Sequence, residues 1–442
     1  MMPSTAMARK AALLALLAVA STVPIGARAQ GPSTAPAAAK PAPPTNNYWF
    51  YVGAESADLL HRIRFGPDGT KIEKSIMAGE YASENEGPHG MQVSPDQKYL
   101  YVSTGHGLPD GKFWKYELGP DTLVGTPIFL GFFPASLDLT PDGLYAFIAN
   151  FNLHGDMVPS SQSVVYTPTM TEVARPTTCT MPHGSRVNPQ GTLQYSACMM
   201  DDQLVEIDTR TFEVSRRFSV AKGAEKPLPL TAVMAEMPGM AGMDHAAMGH
   251  GAPAKPAATP TKGAAPKARP QVKKPGQDYP VPEIGAAGMK NMTPATCSPT
   301  WAQPSADGSK VFVACNKSDE IVEIDAKTWT MTRKLKTGRG PYNLAVTPDG
   351  RLLVATLKPS SQFEIYEAAT GKILATIKSS TTLSHGIAIS SDSKYAFVSS
   401  EGVGAAPGKV DVYDLTAFAK VGTVDVGQQA GGIAFWKMEP AK

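Results

Sequence analysis

Eight histidines, nineteen methionines and four cysteines are the side chains of this 442-residue sequence best suited to holding a soft or borderline metal ion. Three histidines stand at one place in a recurring phrase, as Pro88-His89-Gly90, Pro182-His183-Gly184 and Ser384-His385-Gly386, each opening an alternating apolar run. Neutral imidazole ligates copper and zinc, and three protein ligands with one open position suit either metal. His106 and His154, in loops expected on the same face, could add to such a set. The competing use is structural: a His-Gly pair before a strand can cap a loop and hydrogen-bond its neighbour.

A second group of soft ligands lies in AEMPGMAGMDHAAMGHGAP, Ala235 to Pro253. Thioethers favour Cu(I) and imidazole accepts both copper oxidation states, so Met237, Met240, Met243, His245, Met248 and His250 read as a mobile copper trap. The phrase GMDHAAMGH resembles the Met/His repeats of periplasmic copper-resistance proteins and multicopper oxidases. Its alternative is a low-complexity linker whose methionines are incidental or scavenge oxidants. The stretch between Val220 and Ser298 is far longer than a connection between neighbouring elements needs, and residues 252–275, rich in Ala, Pro and Lys, read as a tether. We expect it to leave from the histidine face.

The four cysteines, Cys179, Cys198, Cys297 and Cys315, allow three pairings or use as thiolate ligands. Cys179–Cys198 and Cys297–Cys315 are preferred, because each closes a local hairpin in a chain read as exported.

The elements that must position these groups are set by repetition. GPHGMQVSPD from Gly87 returns as FPASLDLTPDG from Phe133, MPHGSRVNPQG from Met181, SPTWAQPSADG from Ser298, GPYNLAVTPDG from Gly340 and LSHGIAISSDS from Leu383. Each copy reads as strand, tight turn, strand, and two further strands follow. Four short strands per repeat is the pattern of a propeller blade. Residues Tyr48 to Met77 supply three strands and the terminal Gly431-Gly432-Ile433 supplies a fourth, giving an all-β, seven-bladed propeller whose last strand completes blade one. In that register Ala135, Thr300, Tyr342 and Gly431 are the equivalents of the three histidines.

The repeated phrase resembles the YVTN (YncE-like) seven-bladed propellers of exported bacterial proteins over nearly all of Tyr48 to Trp436, apart from the Met-rich insertion. The resemblance implies the architecture; members of such folds serve as surface-layer and binding proteins, and more distant propellers carry copper or haem.

Arg9-Lys10, the apolar run Ala11 to Ala20 and Ala27-Arg28-Ala29 read as a cleavable signal peptide, residues 1–29. Residues 30–46 read as an Ala/Pro leader, 47–233 as blades one to four, 234–289 as the insertion, and 290–438 as blades five to seven with the closing strand. The expectation is therefore a periplasmic or secreted protein with no membrane span. With 41 basic against 39 acidic side chains, no field points to nucleic acid. We expect a monomer that binds a metal ion, copper first, with zinc or haem as alternatives, and that offers its histidine face to a periplasmic partner. Three functions follow: a metal-binding propeller, a metal-dependent oxidoreductase or hydrolase with its site on the axis, and an interaction scaffold. Against turnover, the sequence carries no GxSxG, HExxH or CxxCH.

Overall fold

The computed structural model of the chain describes residues 41–80, 84–106, 110–153, 155, 157–231 and 294–442. Period-two alternation of apolar residues, broken by turn residues, produces seven antiparallel sheets. A three-residue 3-10 turn at Glu55–Ala57 is the sole helical element among the described residues. The terminal strand Ala430–Pro440 lies beside Asn46–Ala54, followed outward by Leu59–Gly66 and Gly69–Met77. Blade one is thus built from both ends of the described chain, as the sequence predicts.

Apolar clusters form between adjacent blades. Tyr195, Leu204 and Phe218 of blade four pack on Val311, Val313 and Val322 of blade five, and at the seam Tyr48, Phe50 and Phe65 meet Tyr395 and Phe397 of blade seven. The Phe50 and Phe397 rings stack at 4.3 Å. Each blade is therefore stabilised by its neighbours, and the apolar seam between blades seven and one holds the ring closed.

The innermost strands share a device at the end where they begin, here called the entry face. A residue with positive φ precedes each of them: Gly87, Phe133, Met181, Ser298, Gly340, Leu383 and Gln429. The next residues carry a β-bulge. In blade two Pro88 pairs with Thr104 but Gly90 with Ser103, and in blade four Pro182 pairs with Cys198 but Ser185 with Ser196. Comparable shifts occur in the other five blades. His89, His183 and His385 lie inside these bulges, which bend the strand and re-aim a side chain.

The outer edges are less regular than four strands per blade. In blade two, Thr122–Leu123 and Ile128–Phe132 both pair with Asp110–Glu117; in blade three, Thr171–Ala174 and Thr177–Thr180 both pair with Pro159–Tyr166. Blade four gains a fifth strand, Lys226–Leu228, antiparallel to Glu213–Ser219. The chain thus approaches residue 231 along the outer edge of blade four, with Leu230 O accepting from Arg217 Nε at 3.1 Å. It re-enters at the entry face, where Asp202 accepts the backbone N–H of Thr296, Cys297 and Ser298. The stretch after Val220 thus starts and returns at the entry face, and the insertion itself lies outside the described residues.

Candidate functional site

Residues in the same repeat position converge on the propeller axis. The His89 ring centroid lies 6.0 Å from that of His183 and 5.5 Å from that of His385. Tyr342, their equivalent in blade six, bridges the other side at 5.3 Å from His183 and 4.9 Å from His385. All three imidazoles are at least 97% buried. The seventh place is Gly431, and its lack of a side chain makes room for Glu55, whose Oε1 would lie 2.1 Å from any Cβ there. The glycine after His89 has a separate reason: a Cβ at Gly90 would meet Ala135 O of the next blade at 1.9 Å. The His-Gly pair joins an axial side chain to a close approach between inner strands.

A second layer comes from residues just after the second strands: Glu55, His106, Lys358 and Glu401, in blades one, two, six and seven. Glu55 Oε2 lies 2.9 Å from His106 Nε2, and its Oε1 lies 3.7 Å from His89 Nδ1. Lys358 Nζ pairs with Glu401 Oε1 at 2.6 Å and lies 4.4 Å from the centre of the Tyr342 ring. Glu401 Oε1 is in turn 3.8 Å from His385 Nε2. All of these except His106 are nearly inaccessible to solvent.

Burial sets the protonation states. It disfavours the charged imidazole, so His89 and His385 are held below the ordinary histidine range and His183 is pushed down to about 3. Glu401 is pushed up to about 7, first by burial, against the pull of Lys358 and with repulsion from Glu55 added. Glu55, although burial alone would raise it, ends lowered by His89, His106 and Lys358. Tyr342 is raised by burial and by both carboxylates.

The neutral histidines differ in their bonding. His183 Nδ1 donates to Thr300 O at 2.9 Å, leaving Nε2 to accept from the Tyr342 hydroxyl at 3.1 Å. Neither His385 ring nitrogen has a well-aligned hydrogen-bond partner among the described residues. Among those residues no three His, Cys, Asp or Glu side chains already stand at metal-coordination spacing. Binding an ion on the axis therefore requires the imidazoles to turn inward and Tyr342 to release His183 Nε2. Below the imidazoles the axis opens into a narrow cavity lined by Met91, Leu137, Arg186, Trp301, Asn343 and Ile387.

The structure brings together His89, His183 and His385, with His106 one layer above them. His154, Met237, Met240, Met243, His245, Met248 and His250 lie outside the described residues. Both preferred disulfides are present, Cys179–Cys198 and Cys297–Cys315, and no described cysteine is free. The thiolate-ligand alternative is thereby closed. The first bridge does more than close a hairpin, since Cys179 lies in a strand added to blade three and Cys198 ends the second strand of blade four.

Sequence reasoning missed Glu55, Lys358 and Glu401. The signal was available, because each directly follows a second strand, but aligning the repeats on their inner strands hides it. Other carboxylates near this face do architectural work: Asp201 accepts Thr180 N–H at 2.7 Å, Asp202 holds the blade-five entry, and Glu86 lies 3.3 Å from Lys112 Nζ.

No protein family and no curated protein matches the sequence. Solved structures do. The periplasmic gluconolactonase of Pseudomonas aeruginosa aligns with TM-score 0.59 at 15% identity over 88% of this chain and 99% of its own. A functionally unknown protein from Desulfotomaculum acetoxidans aligns with TM-score 0.57 at 13% identity, over 88% and 99%. Hydrazine synthase of Kuenenia stuttgartiensis aligns with TM-score 0.52 at 16% identity, over 80% and 93%. At these identities the likeness establishes the propeller fold alone, and the chemistry must be argued from the axial residues.

Proposed function

We propose that this chain is an exported, copper-binding propeller of the YVTN (YncE-like) type, with His89, His183 and His385 as the ligands of one axial site. In this reading the Met/His segment, from Met237 to His250, collects Cu(I) and passes it to the axis. The observation that carries the proposal is the burial of three uncharged imidazoles around one axis, with ring centroids 5.5 and 6.0 Å apart on either side of His89. Metal binding needs imidazole in its neutral form, and burial supplies that without help from pH. His385, buried without a well-aligned partner, gains one on binding an ion.

A second reading is favoured by Glu401, Lys358 and Tyr342. A buried carboxyl near neutrality beside a lysine is an arrangement suited to proton transfer, so an oxidoreductase or hydrolase with its site on the axis is the alternative.

The experiment is competition of Cu(I) and Cu(II) against a chelator, using wild type, H89A/H183A/H385A, and a chain lacking Met234 to Gly251. The proposal expects one tight equivalent that survives the deletion and is lost in the triple variant, with weaker equivalents lost in the deletion. Unchanged copper retention by the triple variant would sink the axial site. Retention only when the segment is present would reduce the protein to a copper-buffering tail on a scaffold.

A further inference from the structure

The cavity beneath the histidines is lined by a cation that meets no carboxylate at contact distance among the described residues, its opposing charge being the more distant Asp138. Arg186, in the inner strand Pro182–Val187, lines it from blade four. No carboxylate lies within salt-bridge distance of Arg186 among the described residues. Its nearest opposing charge is Asp138, whose oxygens accept the N–H groups of Leu139 at 3.0 Å and Val187 at 2.9 Å. The guanidinium instead stacks over the Trp301 ring at 4.6 Å and donates one N–H to Ser185 O at 2.9 Å.

Unsatisfied polar atoms line the same space. Trp301 Nε1 and Asn343 Oδ1 have no hydrogen-bond partner among the described residues, although the two residues are 95% and 97% buried. His385 joins them with both ring nitrogens. The space admits on the order of two to three water-sized groups. An arginine fork and an indole N–H around a volume of that size match a planar anion with two or three oxygens.

We propose that the axial cavity is a binding site for a small planar oxyanion of formate size, with Arg186 providing the charge and Trp301 Nε1 a directed donor. Arg186 donates through the guanidinium edge not used by the Ser185 and Leu137 carbonyls, and the indole N–H gives a second direction. The mixed apolar wall of Met91, Leu137 and Ile387 excludes larger or strongly hydrated ions. The site goes beyond the copper reading. Its charge comes from Arg186, which is not a metal ligand, although the three histidines border the same cavity.

The test is calorimetric titration of sodium formate into chelator-treated full-length mature protein, with sodium chloride as the spherical control. Wild type should show one saturable site for formate that chloride does not match. R186Q should bind at least tenfold more weakly, R186K should fall between the two because it keeps charge without the fork, and W301F should lose a few-fold. Thermal melting of each variant establishes that it is folded. Absence of saturable formate binding by folded wild type, or equal affinity in R186Q, overturns the proposal; if R186Q does not fold, equal affinity in both R186K and W301F does so. Copper retention by R186Q keeps the two proposals separate, since the copper reading predicts it unchanged whatever formate does.

Discussion

The two ends of the propeller are built from the same repeat and use it differently. At the turn face the blades repeat one solution: Ser94 bonds Asp96, Thr140 Asp142, Ser305 Asp307, Thr347 Asp349 and Ser390 Asp392, at 2.5 to 2.6 Å in every case. The same carboxylates accept an N–H two residues further on. At the entry face the equivalent positions hold His89, Ala135, His183, Thr300, Tyr342, His385 and Gly431, with Glu55, Lys358 and Glu401 filling the layer above. One end closes each hairpin upon itself; the other gathers dissimilar groups onto a common axis. Repetition marks where the repeat is architecture, and departures from it mark where dissimilar side chains are brought together.

The difference is open to attack from several sides. The largest effect is expected from K358M, which leaves Glu401 buried without its cation and should destabilise by about 3 to 5 kcal/mol in chemical denaturation at pH 8. Since Glu401 sits near 7, the penalty should shrink at pH 5, where the carboxyl is protonated. A penalty independent of pH would show that Lys358 acts by packing alone.

Disulfide loss comes next. Cys179 and Cys198 are 19 residues apart, so C179S/C198S should cost about 3 kcal/mol by the chain-entropy argument. Because that bridge ties blade three to blade four near the entry face, the copper-binding test should be repeated on the same variant, and retention is expected.

Acid should weaken the entry face in a graded way. His183 has its folded pKa depressed to about 3 against about 6.5 in the unfolded chain, so the unfolded state takes up its proton first. Its stabilising contribution is complete above about pH 6.5 and is lost as pH falls toward 3, at about 1.4 kcal/mol per pH unit. His89 and His385 act in the same direction, whereas Glu401, raised in the fold, opposes them between its unfolded and folded values. Metal-free protein should therefore lose denaturant resistance from pH 7 to 5, and H183Q should flatten that slope. An unchanged slope in H183Q would contradict the assigned burial.

The smallest effect belongs to the turn face. D142A removes two short-range hydrogen bonds and should cost about 1 kcal/mol, with no change in copper or formate binding. A binding defect in D142A would mean that the two ends are coupled through the strands.

Much of the fold was legible because the turn face is repetitive. A tight turn of the Pro-Asp-Gly kind between alternating strands recurs from blade to blade, and the three strands at the start with the single strand at the end fix how the ring closes. The disulfides followed from local hairpin spacing. His89, His183 and His385 were legible for the same reason, since each occupies a numbered place in a repeat. The bulges that aim them were not, because a bulge is a mismatch between two strands and neither strand records it alone. Glu55, Lys358 and Glu401 were hidden by a different cause. Each is an ordinary charged residue at a strand end, and only ring closure shows that blades one, six and seven meet at the centre. The fifth strand of blade four escaped notice because Lys226–Leu228 has no alternating pattern and holds the edge by backbone pairing.

Whether the axial imidazoles hold copper, as proposed, is decided by one experiment. It is X-ray absorption at the copper edge on the chain lacking Met234 to Gly251, loaded with one equivalent and washed with chelator. A nitrogen shell with the multiple-scattering pattern of two or three imidazoles is expected, absent from H89A/H183A/H385A. A shell of sulfur, or copper that washes away without the Met/His segment, would contradict it.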